Sequence, residues 1–384
     1  MDRRSLLMSE FEMDSTSILP TTATERTPRS QHTVPRDGGK RGVGPPVSTM
    51  RLADMSAKAS AKEMMLRLRS PVASELLAVE RRLALELRSP HEELGPVLQH
   101  GTHLGGKRLR PALLLLCGSA VGSLGPDHIV LSSVVEMVHT ATLIHDDVLD
   151  EAETRRHVAT INARWNEHTS ILVGDYLFAQ SFRLAATLSS TEACRMVGEA
   201  ARLVCEGELR QVLARDVLNI SEEDYFAMIR GKTAELCRVS CELGAKYSGG
   251  TAETVEAMGC YGDSLGVAFQ IADDFLDLWG DGHTVGKTLG SDIGQGKMTL
   301  PLIRLRETVS ASQWDEICKI LTGPVDDRLK EAMPFLQKSD ARSYTQRVAE
   351  SFKERAIRSL DCLPESEEKR SLVRLAQFSV DRRF

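Results

Sequence analysis

From about residue 70 onward, apolar residues recur at intervals of three and four, as in Val72, Leu76, Leu77, Val79, Leu83 and Leu85. That spacing lays one apolar stripe along a 3.6-residue helix, and no later segment shows sustained period-two alternation bounded by hairpin turns. The chain is therefore expected to be all-α. Further helices are predicted near 111–122, 127–150, 169–188, 192–214, 222–246, 252–279, 299–309, 312–321 and 340–360. With 42% apolar and 27% charged residues in 384, these helices carry enough apolar surface to pack as one large domain. No fixed-period repeat suggests a solenoid.

Residues 1–65 read differently. They hold Pro20, Pro28, Pro35, Pro45 and Pro46, many Ser and Thr, and no sustained helical period, so a disordered leader is expected before a helical domain over 66–384. The leader lacks the apolar core of a secretory signal, and its six acidic residues before position 50 argue against an organellar transit peptide. The eight cysteines show no C-x-x-C pair or zinc spacing and read as small buried hydrophobes of a reducing, cytoplasmic compartment. A net charge of −6 offers no overall basic field for nucleic acid. The longest apolar stretch, 112–121, is about half the roughly 20 residues a bilayer span needs.

The strongest chemical signal is Asp146, Asp147 and Asp150, set among Leu143, Ile144, Val148 and Leu149. In a helix this spacing stacks Asp146 and Asp150 one turn apart and turns Asp147 away by about 100°, so the carboxylates are expected to share a volume. The same pattern returns 127 residues later as Asp273, Asp274 and Asp277, among Phe269, Ile271, Phe275, Leu276 and Leu278. Like charges one turn apart repel, so something cationic must offset them. Two such triplets interrupting apolar helices suggest facing carboxylate walls around hard divalent ions. All-oxygen ligands suit Mg²⁺ better than zinc.

Magnesium held by a few carboxylates usually bridges to phosphate, which calls for Lys and Arg from other segments. Gly105-Gly-Lys-Arg-Leu-Arg-Pro111 forms a turn into a helix N-terminus, where anions are favoured. Arg155 and Arg156 follow Asp150 as the chain leaves its helix. The loop 280–296 holds six glycines, with Lys287 and Lys297 within and beside it, and can close over a charged ligand. Lys232 and Thr233 add a cation and a hydroxyl on a helix.

Taken together, Gly105-Gly-Lys-Arg-Leu-Arg-Pro, His139 with Asp146-Asp-Val-Leu-Asp-Glu-Ala-Glu-Thr-Arg-Arg, Gly174-Asp-Tyr, Lys232-Thr, Phe269-Gln-Ile-Ala-Asp-Asp-Phe-Leu-Asp and Gly296-Lys-Met-Thr-Leu-Pro resemble the trans-isoprenyl diphosphate synthases. The resemblance covers roughly residues 70–384 and is nearest the long-chain octaprenyl and solanesyl type. It implies the all-α isoprenoid synthase fold, a homodimer, and a central cavity lined by both aspartate-rich motifs. By position, Lys107, Arg110, His139 and Arg156 would bind isopentenyl diphosphate. Asp146 and Asp150, with Asp273, Asp274 and Asp277, would ligate Mg²⁺. Arg155, Lys232, Thr233, Gln270 and Lys287 would hold the allylic diphosphate, and Lys297 would support the closing loop. Asp147 completes the catalytic set. His157 stands where the family commonly has Gly.

The implied chemistry is ionisation of the allylic diphosphate, attack by the isopentenyl alkene and loss of a proton, with apolar walls excluding water. Ala141 and Thr142, one turn before Asp146, are small where short-chain members carry an aromatic floor. A long-chain product near C40, for a quinone tail, is expected, with membrane contact limited to transient product release. The alternatives are a short-chain C15–C20 synthase and an idle regulatory subunit of a heteromeric enzyme. Retention of both triplets speaks against the idle subunit, and the Lys107/Arg110 segment speaks against a terpene cyclase or head-to-head enzyme.

Overall fold

The computed structural model describes residues 63–104, 108–155, 158–280 and 289–380. Lys107, Arg156, His157, Lys287 and nearly all of the leader lie outside the described residues.

The apolar periods fold as fourteen labelled helices: α1 (Ala73–Glu86), α2 (Gly95–Leu104), α3 (Leu109–Val121), α4 (Pro126–Leu149), α5 (Glu167–Ala185), α6 (Glu192–Leu213) and α7 (Glu222–Ile229). They continue as α8 (Glu235–Tyr247), α9 (Ala252–Trp279), α10 (Leu300–Thr308), α11 (Ala311–Leu321), α12 (Val325–Lys338), α13 (Ala341–Ser359) and α14 (Glu367–Val380). Short side chains start several of them. Asn166 accepts from the Thr169 N–H at 2.8 Å to open α5, Ser221 from the Asp224 N–H at 3.0 Å to open α7, and Thr251 from the Thr254 N–H at 3.3 Å to open α9.

The only strands among the described residues are β1 (Thr154–Arg155) and β2 (Val158–Ala159), a two-residue antiparallel pair just after α4. Such a pair is too short to leave an alternating pattern in sequence. Met65 and Leu68 already pack into the core, a few residues earlier than the first apolar period suggested.

Two apolar cores organise the site. One gathers α1 to α6, α8, the first half of α9, the end of α13 and most of α14; the other gathers α7, the second half of α9, α10 to α12, the start of α13 and Val380. α9 runs through both, placing Met258, Tyr261 and Leu265 in the first and Ile271 and Leu278 in the second. α8 packs on α9, α3 and α4, so the two triplet-bearing helices share a neighbour. All eight cysteines are free. Cys117, Cys237 and Cys241 are buried as expected, but Cys205 and Cys362 are exposed, because both fall outside the apolar stripes of their segments.

Candidate active site

α4 ends on the first acidic triplet. Asp146 is largely buried, its Oδ2 3.8 Å from the Lys232 ammonium, and the same Lys232 pairs with Glu208 on α6 at 2.5 Å. Burial lifts the Asp146 carboxyl to about 6; Lys232 draws it down, while Glu208 and Asp150 push it up. Asp150, at the helix end, pairs with Arg215 at 3.2 Å.

Asp147 does not join its neighbours in one volume. It is 2% exposed, and Arg155 on β1 grips its Oδ1 through Nε and Nη2, each at 2.8 Å. The 100° turn that separates it from Asp146 points it into the protein, where only a fixed cation makes a carboxylate tolerable. Its second oxygen, Oδ2, is buried without a hydrogen-bond partner among the described residues.

The second triplet divides similarly. Asp274 is 4% exposed; Tyr225 donates its phenol to Oδ2 at 2.7 Å, and Gln270 donates Nε2 to Oδ1 at 2.8 Å. Thr233 completes the chain by donating to Gln270 Oε1 at 2.8 Å. Burial raises Asp274 to about 8, with Asp292 and Asp273 adding to the rise and the two donors opposing it. Asp277 spends both oxygens on the following loop: Oδ1 accepts from the Ser291 hydroxyl at 2.7 Å and Oδ2 from the Asp292 N–H at 3.0 Å. Asp273 is half-buried.

Lys232 brings the triplets together. Beside its contact with Asp146, it lines a cavity with Gln270, Asp274, Asp292 and Lys297. Lys297 approaches Asp292 at 3.5 Å on the rim. A more open depression between α11 and α12, lined by Glu316, Lys319 and Asp327, carries none of these residues.

Lys232 and Thr233 sit in a single π-turn, Arg230–Ala234, which joins α7 to α8. Such turns tend to occur at functional sites. α6 can press against this turn only because residue 207 is glycine: a Cβ there would lie 2.5 Å from the Lys232 amide nitrogen and 2.9 Å from the Gly231 carbonyl carbon. Both are backbone atoms with no rotamer to yield. Gly207→Ala is expected to cost about 2 kcal/mol or more and to move Lys232, lowering activity. Thermal melts with steady-state kinetics check both effects.

Arg110 lies in the first turn of α3 with a buried Nε that has no partner among the described residues, and His139 lies half-buried on the adjoining α4. Ala141 is wholly buried; Thr142 is half-buried and donates to the His139 carbonyl at 2.8 Å.

Sequence reasoning did not pick out Glu208, Arg215 and Tyr225. Tyr225 left one trace, since it precedes Lys232 by seven residues, two helical turns on the same face. The other two are ordinary charged residues until tertiary structure sets them beside Asp146 and Asp150.

The raised carboxyls predict a pH dependence. Asp146 and Asp274 hold protons in the folded protein up to about 6 and about 8, whereas the unfolded chain releases them near pH 4. The unfolded state then binds fewer protons across that window, so these groups lower stability as pH rises from about 4 to about 8. The thermal midpoint of the protein, measured without metal, is expected to fall over that range, and Asp146→Asn should flatten the part below about pH 6. A variant as steep as the parent would contradict the burial of Asp146.

A model of the polyprenyl synthetase family matches residues 91–334, well over half of the chain. The chain belongs to this family. Like other polyprenyl synthetases it is a prenyltransferase with the all-α isoprenoid synthase fold. It is 35% identical over 314 residues to the all-trans-nonaprenyl-diphosphate synthase (geranyl-diphosphate specific) of Rhodobacter capsulatus, covering 82% of this chain and 96% of that one. Among solved structures, a decaprenyl diphosphate synthase from Rhodobacter capsulatus aligns with a TM-score of 0.78 at 34% identity, covering 83% of this chain and 99% of that one. A polyprenyl synthase from Caulobacter crescentus CB15, complexed with calcium and isoprenyl diphosphate, aligns with a TM-score of 0.77 at 32% identity, covering 83% and 98%. No described helix is long and apolar enough to cross a membrane.

Proposed function

We propose that this polyprenyl synthetase condenses isopentenyl diphosphate head-to-tail onto an allylic diphosphate, with Mg²⁺, and elongates it to a long all-trans chain near C40 for a quinone tail. The observation that carries the reading is Lys232, a cation 3.8 Å from Asp146 that also lines the cavity receiving Asp274.

The residues fit a divalent metal. Among the described residues no three His, Cys, Asp or Glu side chains already converge as a metal-binding group. The donors are nevertheless all oxygen, and Asp146 and Asp150 each already face a cation, Lys232 and Arg215. Asp146, Asp150 and Asp273 would hold the ion; Asp274 and Asp277, already hydrogen-bonded at both oxygens, would join through their remaining lone pairs. Bound there, Mg²⁺ supplies the charge neutralisation that makes diphosphate a competent leaving group.

The chain's own residues do the rest. Lys232, braced by Glu208, meets the negative charge that grows on the allylic diphosphate, and Arg155, Thr233, Gln270 and Lys287 fix its orientation. Lys297 holds the rim of the cavity through Asp292. Lys107, Arg110, His139 and Arg156 anchor isopentenyl diphosphate so that its alkene faces the cation. The apolar walls of α4 and α9 exclude the water that would quench it.

The long product follows from the small residues Ala141 and Thr142 below Asp146, and from the nona- and decaprenyl synthases among the similar proteins. The active species is proposed to be a homodimer. Purified alone, the chain should turn over only when isopentenyl diphosphate, an allylic primer and Mg²⁺ are all present. Inactivity in their presence would favour an idle subunit, and a C15 limit would defeat the long-chain assignment.

A further inference from the structure

We propose that Arg108 is a positioning residue for the isopentenyl diphosphate subsite, its guanidinium clamping the first turn of α3, with Arg110, against α4, which carries His139 and Asp146. This rests on the reading in which Arg110 and His139 receive that substrate.

The geometry is a fork across two helices. Arg108 Nε and Nη2 reach Glu80 of α1 at 2.6 and 3.2 Å, while Nη1 reaches Glu136 of α4 at 2.8 Å. Glu80 is half open to solvent, but Glu136 is 1% exposed. Glu136 lies one turn before His139, and its backbone carbonyl accepts the Thr140 hydroxyl at 2.8 Å. The clamp therefore enters α4 beside the proposed isopentenyl site.

Two further features argue that the fork sets position. Arg108 has φ 53° and ψ 40°, a left-handed conformation that a residue with a Cβ rarely adopts. It persists where surrounding bonds over-determine it, and the two carboxylates supply those bonds. Glu136 is also under the pull of Arg110 as well as Arg108, with its Oε2 and the Arg110 Nε both buried and unpartnered among the described residues. One buried carboxylate thus acts on the neighbour that fixes the turn and on the neighbour proposed to bind substrate.

Stability alone is a poor account of the clamp. A buried ion pair can usually be replaced by apolar side chains without loss, and its better-attested use is to fix register. Arg108 also directs three of its five N–H donors at Glu80 and Glu136, so its nitrogens are turned to the two helices. A lysine would keep the charge but lose the fork.

The test is steady-state kinetics on the full chain with Mg²⁺, varying each substrate in turn, with thermal melts in parallel. Arg108→Lys and Glu136→Gln are expected to raise KM for isopentenyl diphosphate about 10-fold, with less than about 2-fold change for the allylic substrate. Glu80→Gln, on the solvent side and harmless to folding, should raise it about 3-fold in the same selective way. The double variant Arg108→Lys/Glu136→Gln should be no worse than the poorer single one, since both break one clamp. Both KM values rising together, or melting points falling with no selective change, would overturn the proposal. Arg110→Gln separates the two levels. If it raises KM for isopentenyl diphosphate while Glu80→Gln and Glu136→Gln do not, the clamp fails and the site reading stands. If Arg110→Gln has no such effect, both fall.

Discussion

Asp146→Ala is expected to leave a folded protein whose turnover is at least about 1,000-fold lower. The two halves of that statement have separate causes. Folding should survive because Asp146 is a buried carboxyl raised to about 6 by burial, so its loss removes an unfavourable group rather than a support. Lys232 still keeps Glu208 at 2.5 Å, so no buried cation is stranded. Catalysis should not survive, because Asp146 is the carboxylate of the first triplet closest to Lys232 and so to the cavity shared with Asp274. Asp273→Ala is expected to behave alike from the other wall. Initial rates beside thermal melts decide the matter; near-normal rates in both variants would remove the metal assignment.

Ala141→Phe is expected to shift the product from a long chain to C15–C20. Ala141 precedes Asp146 by five residues, about 7.5 Å along α4, and each helical turn rises about 5.4 Å, close to one isoprene unit. A phenyl group at that level would stop the growing chain after the first additions. Ala141 is wholly buried, so a lengthening product reaches this depth by parting the side chains around it. The same burial means that the substitution also overpacks the core, at about 1–3 kcal/mol. The melting point should therefore drop by a few degrees while the protein stays active. Sizing the dephosphorylated products separates the two effects: a stable, active variant with an unchanged distribution would place the floor of the tunnel elsewhere.

Much of the fold could be read because the helices that build the site are long and marked at their ends. α9 was expected over 252–279 and spans those residues, with Thr251 as its cap and Gly280 as its stop. α2, α12 and α14 were missed: Gly95, Pro96 and Gly101 interrupt the pattern of α2, Pro334 lies inside α12, and only α14 lacks such a break. The span 222–246 read as one helix, whereas the π-turn at Arg230–Ala234 divides it. A lone Gly231 in a helical pattern does not announce such a turn.

The site was legible in its charges and not in its pairings. Carboxylates that interrupt an apolar helix stand out in one dimension, so both triplets could be found without coordinates. That Arg215 serves Asp150 across 65 residues, or Tyr225 serves Asp274 across 49, is decided by packing. The same packing splits each triplet. Asp147 is held by Arg155 and Asp277 by the Ser291–Asp292 backbone, although the spacing alone had treated all six carboxylates as one lining.

In the proposed site two acidic walls grip one metal-bound diphosphate between them. A crystal structure of the protein with Mn²⁺ and a non-ionisable allylic thiodiphosphate tests this grip most directly, because anomalous scattering locates each ion. Manganese is expected on Asp146 or Asp150 and on Asp273, with one diphosphate reaching both walls and Lys232 on its oxygens. Metal bound at a single triplet, or a diphosphate seated away from Lys232, would contradict the proposed site.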